Sequence, residues 1–526
     1  MVMSHFYQKV FVFTSWLLIN LILITTSIVY SSYWYIFLVP LSVSTSFNCF
    51  SVLLILAFSI KNLIFKQKKK DDAELVKKSF AYLIPCYNET EEEINNTIKS
   101  LKKQTGVEDN KKVMLIVCDG RVKGSSELTT DEILKVIFKD QIKKTLYFKN
   151  AYKTWLGEYN NIEVLYGYSD NMPFICFIKD NNVGKRDGLV LIRSILHNYN
   201  NRLSNETLTL SEEFESFINN YLDILSFEKI DYIVGTDADT VFEESCSYNL
   251  LQSIEQDDNT HGVVGFVHVS PDVPKWSIWS IYQFTEYIIA QCLRRVQQSI
   301  VTNKVSCLSG CVQILRVSEE TCGNKILSEF NKLPKEDDNV WRHILSFASE
   351  DRNHVCLMLH MYPYVKTRQC ITANAYTIVP TNIKVFRSQR RRWSLGATSN
   401  DIILSYKSGI NLYERIGAIF NVLTYSLSLF IFVATILFYY SIFVHPNMLM
   451  LYLSSVIFVP ILYEICIIFW FPFKNSSDIL RFCLGLIFYI LFGSVINIFI
   501  SIYSLLNVDC FKWGKTRILD KVEVEK

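Results

Sequence analysis

A net charge is the first thing this sequence lacks. Its 53 lysines and arginines stand against 51 aspartates and glutamates, which leaves +2 at neutral pH and no basic field to hold nucleic acid. Paired cysteines are missing as well. The 14 cysteines include no C-x-x-C pair and no histidine-rich neighbour, and the Cys307/Cys311 spacing fits neither a zinc knuckle nor a redox dithiol. A reducing cytosolic setting is therefore expected for the middle of the chain, where Asn88-Glu-Thr, Asn95-Asn-Thr and Asn205-Glu-Thr become chance matches to glycosylation acceptors. The excess is apolar: half the 526 residues are hydrophobic and 14% aromatic, too greasy for an ordinary soluble enzyme.

That excess sits at the two ends. Residues 10–30 are long enough to span a bilayer and lack a small-residue cleavage pattern. A second run, roughly 33–60, ends in Lys61, Lys66, Lys68, Lys69 and Lys70, and lysines crowded after a span mark the cytoplasmic side. Residues 1–70 are thus expected to form a hairpin of two spans with both ends inside. In the region 401–526, an amphipathic interval Asp401–Ile416, carrying Lys407, Glu414 and Arg415, is expected along the membrane surface. Apolar runs follow at about 416–444, 448–472 and 479–508. Five spans would put the tail outside, yet Lys512, Lys515, Arg517 and Lys521 argue that it is inside. The last run, which contains Gly485 and Gly493, is therefore expected to break or re-enter.

Between the ends, 71–400 reads as an α/β domain with a mainly parallel sheet. Short β-rich runs recur at Phe80–Ile84, Val113–Val117, Tyr232–Val234 and Val263–Val267, each ending in polar residues or a turn. Ligands of such sheets bind beyond the carboxyl ends of the strands. Those ends read Tyr87-Asn88-Glu89, Asp119-Gly120 and Asp237-Ala238-Asp239. Tyr87 can stack on a flat base, while Glu89 and Asp119 can accept hydrogen bonds from base or ribose. Asp237 and Asp239, two apart on an extended segment, can both point at one Mg²⁺ or Mn²⁺ shared with substrate phosphates. Gly184-Lys185-Arg186 opens a helix and brings positive charge to a diphosphate. Singly, each of these is ordinary loop chemistry. Glu350-Asp351-Arg352 offers a carboxylate that can take a proton if it faces the Asp237/Asp239 pocket; the bland reading is an ion pair. Ser388-Gln389-Arg390-Arg391-Arg392-Trp393 stands before the first C-terminal apolar run. Gln389, Arg392 and Trp393 suit a phosphate-gripping, sugar-stacking corner, whereas Arg390 and Arg391 read as positive-inside residues.

Taken together, the motifs resemble the processive family 2 glycosyltransferases and, within them, the chitin synthases. Gln389, Arg392 and Trp393 match Q-x-x-R-W, and the full Gln-Arg-Arg-Arg-Trp is similar to the fungal version. Cys307-Leu308-Ser309-Gly310-Cys311 resembles the Cys-Leu-Pro-Gly-Cys loop, with Glu286-Tyr287 upstream of it. Glu350-Asp351-Arg352 resembles the Gly-Glu-Asp-Arg motif, and Trp513-Gly514-Lys515-Thr516-Arg517 the Trp-Gly-Thr-Arg motif. The likeness runs from about residue 79 to 517 in the family's order. Ser309 and Ser349 depart from the usual proline and glycine, and long N-terminal extensions are absent, so a minimal core is expected.

The resemblance implies a GT-A-type domain inserted between transmembrane helices, in a multi-pass protein of the plasma membrane with its catalytic domain in the cytosol. It implies transfer of N-acetylglucosamine from UDP-GlcNAc to the 4-hydroxyl of a growing β-1,4 chain, with translocation of the product. Tyr87, Glu89 and Asp119 would hold the uridine, Lys185 and Asp237 the donor, and Asp239 a Mg²⁺ or Mn²⁺ ion. Asp351 would be the general base, with Glu350 and Arg352 beside it. Gln389 and Arg392 would grip the diphosphate, Trp393, Cys307 and Gly310 would meet the acceptor, and Trp513 and Arg517 would brace a gating loop. The implied partners are UDP-GlcNAc, the chitin chain and membrane lipid, with a homodimer left open. The rivals are a hyaluronan synthase, a glycosyltransferase acting on a lipid carrier, and an inactive transporter or scaffold. The Cys-Leu-Ser-Gly-Cys loop favours chitin, and intact Asp239, Asp351 and Arg392 speak for an active enzyme.

Overall fold

A computed structural model describes residues 4–29, 34–64, 75–124, 127–202, 210–444 and 448–511. Its centre is a ten-stranded sheet: β1 (Phe80–Cys86), β2 (Lys112–Cys118), β3 (Ile142–Lys153), β4 (Tyr159–Ser169), β5 (Met172–Lys179), β6 (Tyr232–Gly235), β7 (Thr240–Phe242), β8 (Thr260–Val269), β9 (Gln313–Arg316) and β10 (Lys366–Thr377). Their order across the sheet is β3-β4-β5-β2-β1-β6-β9-β8-β10-β7. Strands β5, β2, β1 and β6 pair parallel, as do β8 and β10, while β4, β9 and β7 run against them. The mainly parallel α/β domain expected between apolar ends is what the chain folds into, and all four expected strands lie within β1, β2, β6 and β8.

The near-continuous apolar character of the central strands follows from burial on both faces. Phe80, Tyr82, Ile84 and Cys86 of β1 enter one core with Ile94, Ile98 and Leu250, while Ala81 and Leu83 enter another with Leu189, Ile192 and Phe214. Both cores are packed by helices, so the carboxyl ends of β1, β2 and β6 are left as the open rim.

A third core ties the sheet to the apolar ends of the chain: Phe266 and Val269 of β8 pack with Val52, Ile55, Tyr463, Ile467 and Phe482. Among the described residues, helices His5–Val29 and Ser476–Leu506 are long and apolar enough to cross a membrane. Shorter apolar stretches Ser46–Lys61 and Ser454–Trp470 lie within the helices Trp34–Ile64 and Met448–Trp470. Phe11, Ile22 and Leu491 are more than half exposed, as lipid-facing side chains are.

Three sequence expectations about this region change. The last apolar run does not break: Ser476–Leu506 is one 31-residue helix, because Gly485 is where Thr285 packs, a Cβ there meeting Thr285 Oγ1 at 2.0 Å. The break comes earlier, where Leu412–Ser426 and the helix that begins at Ser428 meet at 82°. Nor is Asp401–Ile416 one surface helix. Asp401 is buried in the helix Ile383–Tyr406, and Glu414 is buried in the next, accepting from Gln298 Nε2 (2.9 Å) and Thr302 Oγ1 (2.6 Å). Asp401 and Glu414, which look solvated in the sequence, are held inside, while Lys407 stays exposed.

Both ends of Ser476–Leu506 are held by the α/β domain. Arg481 Nη2 donates to Ser280 O at 3.2 Å, Arg387 lies 4.8 Å from the Tyr503 ring, and Arg391 Nη1 donates to Asn507 O at 3.4 Å. Just beyond, Asp509 pairs with Lys9 at 2.9 Å and Phe511 stacks on His343 at 4.8 Å. The expected tail basics Lys512, Lys515, Arg517 and Lys521 lie outside the described residues.

Candidate active site

Helix Lys185–Asn200 begins at Gly184, whose φ of +106° suits a residue without a Cβ. Its first side chain, Lys185, reaches Asp237 Oδ1 at 2.7 Å and Glu350 Oε1 at 3.8 Å. Burial would lower the Lys185 ammonium, but Asp237, Asp351 and Glu350 outweigh it and hold it well above the ordinary value. Arg186 does not join it. It turns inward, donating to the carbonyls of Phe330 (2.6 Å) and Leu345 (2.7 Å), so the positive charge expected there is structural.

Asp351 stands in the first turn of helix Glu350–Met361, and its Oδ2 accepts the Gly310 amide at 3.0 Å. Gly310 must be glycine: a Cβ would sit 2.7 Å from that oxygen. Burial lifts the Asp351 carboxyl to about 6; Lys185 pulls it back, while Glu350 and Asp237 push it further up. The helix enters through Ser349 in the left-handed region (φ +62°), and Ser349 Cβ fills the space over Gly396. Arg352 is not free to act on a substrate. It donates to Asp401 Oδ1 at 2.8 Å, and Asn421 Nδ2 donates to Asp401 Oδ2 at 3.0 Å, locking this helix to Ile383–Tyr406.

That long helix carries Gln389–Trp393. Arg390 and Arg391 are 6% and 5% exposed, so they do not serve as positive-inside residues. Arg390 Nε donates to Glu286 Oε1 (3.3 Å), Nη1 donates to Gln389 Oε1 (2.5 Å), and its guanidinium lies 4.2 Å from the Trp393 ring centroid. It therefore holds both neighbours in place. Trp393 itself is 42% exposed, with Tyr287 at 6.0 Å.

One cavity of about 950 Å³ gathers these groups. Lys185, Asp237, Asp239, Cys307, Glu350, Asp351, Arg352, Gln389, Arg392 and Trp393 all border it. Gly310 is outside that lining, and its amide donates to Asp351. Asp237 and Asp239 fit a hard divalent cation only in part. Among the described residues no three His, Cys, Asp or Glu side chains converge as a complete metal site, so substrate oxygens would have to fill the shell.

Tyr87, Glu89 and Asp119 sit on the rim at the ends of β1 and β2, outside that lining. Glu89 Oε2 accepts the amides of Tyr87 (2.7 Å) and Asn88 (3.2 Å) and so shapes its own loop. Asp119 is 7% exposed, and its Oδ1 accepts from Val183 N (3.2 Å) and from Lys179 Nζ (2.6 Å). Sequence reasoning missed Lys179, which is 0% exposed and also pairs with Asp187 at 2.9 Å. The signal was there: a lysine closing the apolar run Met172–Ile178. It also missed Arg294 and Gln298, on irregular helical turns after Ile278–Ala290, which border the cavity. Trp513 and Arg517 lie outside the described residues.

Comparisons with known proteins show the family. A family model described as chitin synthase matches residues 52–160 and 175–526. The chain belongs to the chitin synthase family. Chitin synthase 8 of Gibberella zeae is 36% identical over 500 residues, covering 93% of this chain and 74% of that protein. Chitin synthase 8 of Verticillium dahliae is 31% identical over 439 residues, covering 77% and 70%. Among solved structures, the mannosyltransferase PcManGT from Pyrobaculum calidifontis in complex with GDP-Man and Mn²⁺ aligns over 86% of this chain and 98% of its own, with a TM-score of 0.42 and 10% identity. The protein is a membrane glycosyltransferase of the chitin synthase family.

Proposed function

We propose that this chitin synthase is processive and inverting, transferring N-acetylglucosamine from UDP-GlcNAc to the 4-hydroxyl of a β-1,4 chain and passing the product across the plasma membrane. The observation that carries the reading is a half-buried Asp351, its Oδ1 enclosed and its carboxyl lifted to about 6, in the same cavity as Lys185, Arg392 and Trp393. In this reading Tyr87, Glu89 and Asp119 bind the uridine, Lys185, Asp237, Gln389 and Arg392 hold the diphosphate, and Trp393, Cys307 and Gly310 form the acceptor side. Trp513 and Arg517 brace the gating loop.

Asp351 is ionised at neutral pH yet basic enough to accept a proton. As the acceptor O4 bonds to the anomeric carbon, its proton passes to Asp351 and the bond from that carbon to UDP breaks. A single displacement of this kind inverts the centre and needs no protein nucleophile. A Mg²⁺ or Mn²⁺ ion at Asp239 would supply charge to the departing diphosphate. Arg352 and Arg390 position the helices that carry the reacting groups.

The same reading assigns topology. Helices His5–Val29, Trp34–Ile64, Ser428–Val444 and Met448–Trp470 cross, and Ser476–Leu506 follows the underside of the cytosolic domain, which keeps Asp509 on the side of Lys9. Four crossings make the two ends agree.

Membranes containing the full chain, given UDP-GlcNAc and Mg²⁺, should make an insoluble polymer that chitinase digests. A product that resists chitinase, or that requires UDP-glucuronate, contradicts the reading.

A further inference from the structure

Two turns after Lys185, the same helix carries a further cation beyond Arg186. Arg193 is 2% exposed, and its Nε and Nη1 are buried without a hydrogen-bond partner. A buried guanidinium in that condition is costly unless something answers its charge. Beside it lies a small cavity of about 10 Å³, bordered by Lys185, Arg193, Thr236, Gly310, Gln313 and Asp351. That is room for one water with several polar neighbours. Asp351 gives Oδ2 to the Gly310 amide, while its Oδ1 is buried with no partner. A cation that lies over the Phe330 ring but has two donor atoms without hydrogen-bond partners, and a carboxylate with one such oxygen, therefore border one water-sized space.

We propose that Arg193 is a positioning residue for the base, acting on Asp351 Oδ1 through a single water held in this cavity. Oδ1 is thereby anchored inward and Oδ2 is left to meet the acceptor hydroxyl from the large cavity. Arg193 adds a second positive charge behind the carboxylate, on the side away from substrate. The other groups acting on Asp351 are Lys185 and Arg186 from the same helix, Glu350 from its own, Asp237 from the turn after β6, and Cys311 from the glycine loop. Burial of Arg193 weakens its hold on its own proton, with Asp351 and Glu350 among the groups that restore it.

The inference rests on Asp351 being the base, and the experiment separates the two. The pH dependence of kcat/KM for UDP-GlcNAc is measured on the full chain in lipid for wild type, Arg193→Met, Arg193→Lys and Asp351→Asn. Removing a positive charge makes a carboxylate harder to ionise, so the acid limb of Arg193→Met should move up by about one pH unit. Arg193→Lys should bring it back toward wild type. Methionine keeps the linear stem and removes a buried charge, and melting temperatures report folding separately. A limb unmoved in Arg193→Met, or moved equally in Arg193→Lys, overturns the proposal. A wild-type limb surviving in Asp351→Asn overturns the base assignment and the proposal with it. An experimental structure in which no water joins Arg193 to Asp351 overturns it independently of activity.

Discussion

Asp119, which is 7% exposed, and Asp351, which is half-buried, flank the start of helix Lys185–Asn200, and the protein holds them in opposite ways. Asp119 is clamped: Lys179 lies 2.6 Å from Oδ1, with no solvent around the ammonium, and the Val183 amide donates to the same oxygen. Asp351 receives one amide, and the cation that acts on it most strongly, Lys185, is already bonded to Asp237. Its proton affinity is raised, with burial the largest cause. The difference matches the two tasks proposed for them. A group that recognises a nucleotide gains from a fixed charge, whereas a general base must be able to take a proton and release it.

The largest break in this comparison is Asp351→Asn. Polymer formation, followed by incorporation of labelled GlcNAc, should fall by about 10²–10⁴-fold. In the wild type, activity should decline as pH drops below about 6, where Asp351 protonates. The folded carboxyl keeps its proton more tightly than the unfolded chain does, so this group's contribution to stability falls as pH rises through about 4 to about 6. Asp351→Asn should therefore melt higher than wild type at pH 7.

Breaking the clamp comes next. Lys179→Met strands Asp119 and Asp187 without their shared cation and should cost about 3–5 kcal/mol of stability, read as a lower melting temperature, together with a raised KM for UDP-GlcNAc. Arg392→Lys keeps a charge in the cavity but removes the guanidinium fork; turnover should fall about 10–100-fold with the polymer unchanged in kind. Smallest is Ser349→Gly, which relieves the left-handed entry to the Asp351 helix and should add about 1 kcal/mol by melting, with activity retained.

The sequence alone showed the central strands plainly, because β1, β2, β6 and β8 are buried on both faces and read as unbroken apolar runs. It hid β3 and β10. β3 alternates lysines with aromatics along an open edge, and β10 is only partly buried, so polar residues such as Lys366, Arg368 and Asn374 stay in it. The site was legible as residues and not as partners. Asp351, Lys185, Asp237 and the Gln389–Trp393 corner are named by motif, yet nothing local says that Arg352 belongs to Asp401, that Arg390 holds Gln389 and Trp393, or that Lys179 stands behind Asp119. Those pairings join residues 49, 104 and 60 positions apart or link neighbours through a third element, and only the fold brings them together. The number of membrane crossings was not legible for a related reason. Hydropathy measures length and greasiness, whereas the course of Ser476–Leu506 is set by Arg481, Tyr503 and Asn507 meeting the catalytic domain.

The most direct test of the contrast between the two carboxylates is equilibrium binding of UDP-GlcNAc to the full chain carrying Asp119→Asn or Asp351→Asn. The account predicts that Asp351→Asn binds the donor as the wild type does while making no polymer, and that Asp119→Asn loses donor affinity. Donor binding lost in Asp351→Asn, or kept intact in Asp119→Asn, would contradict it.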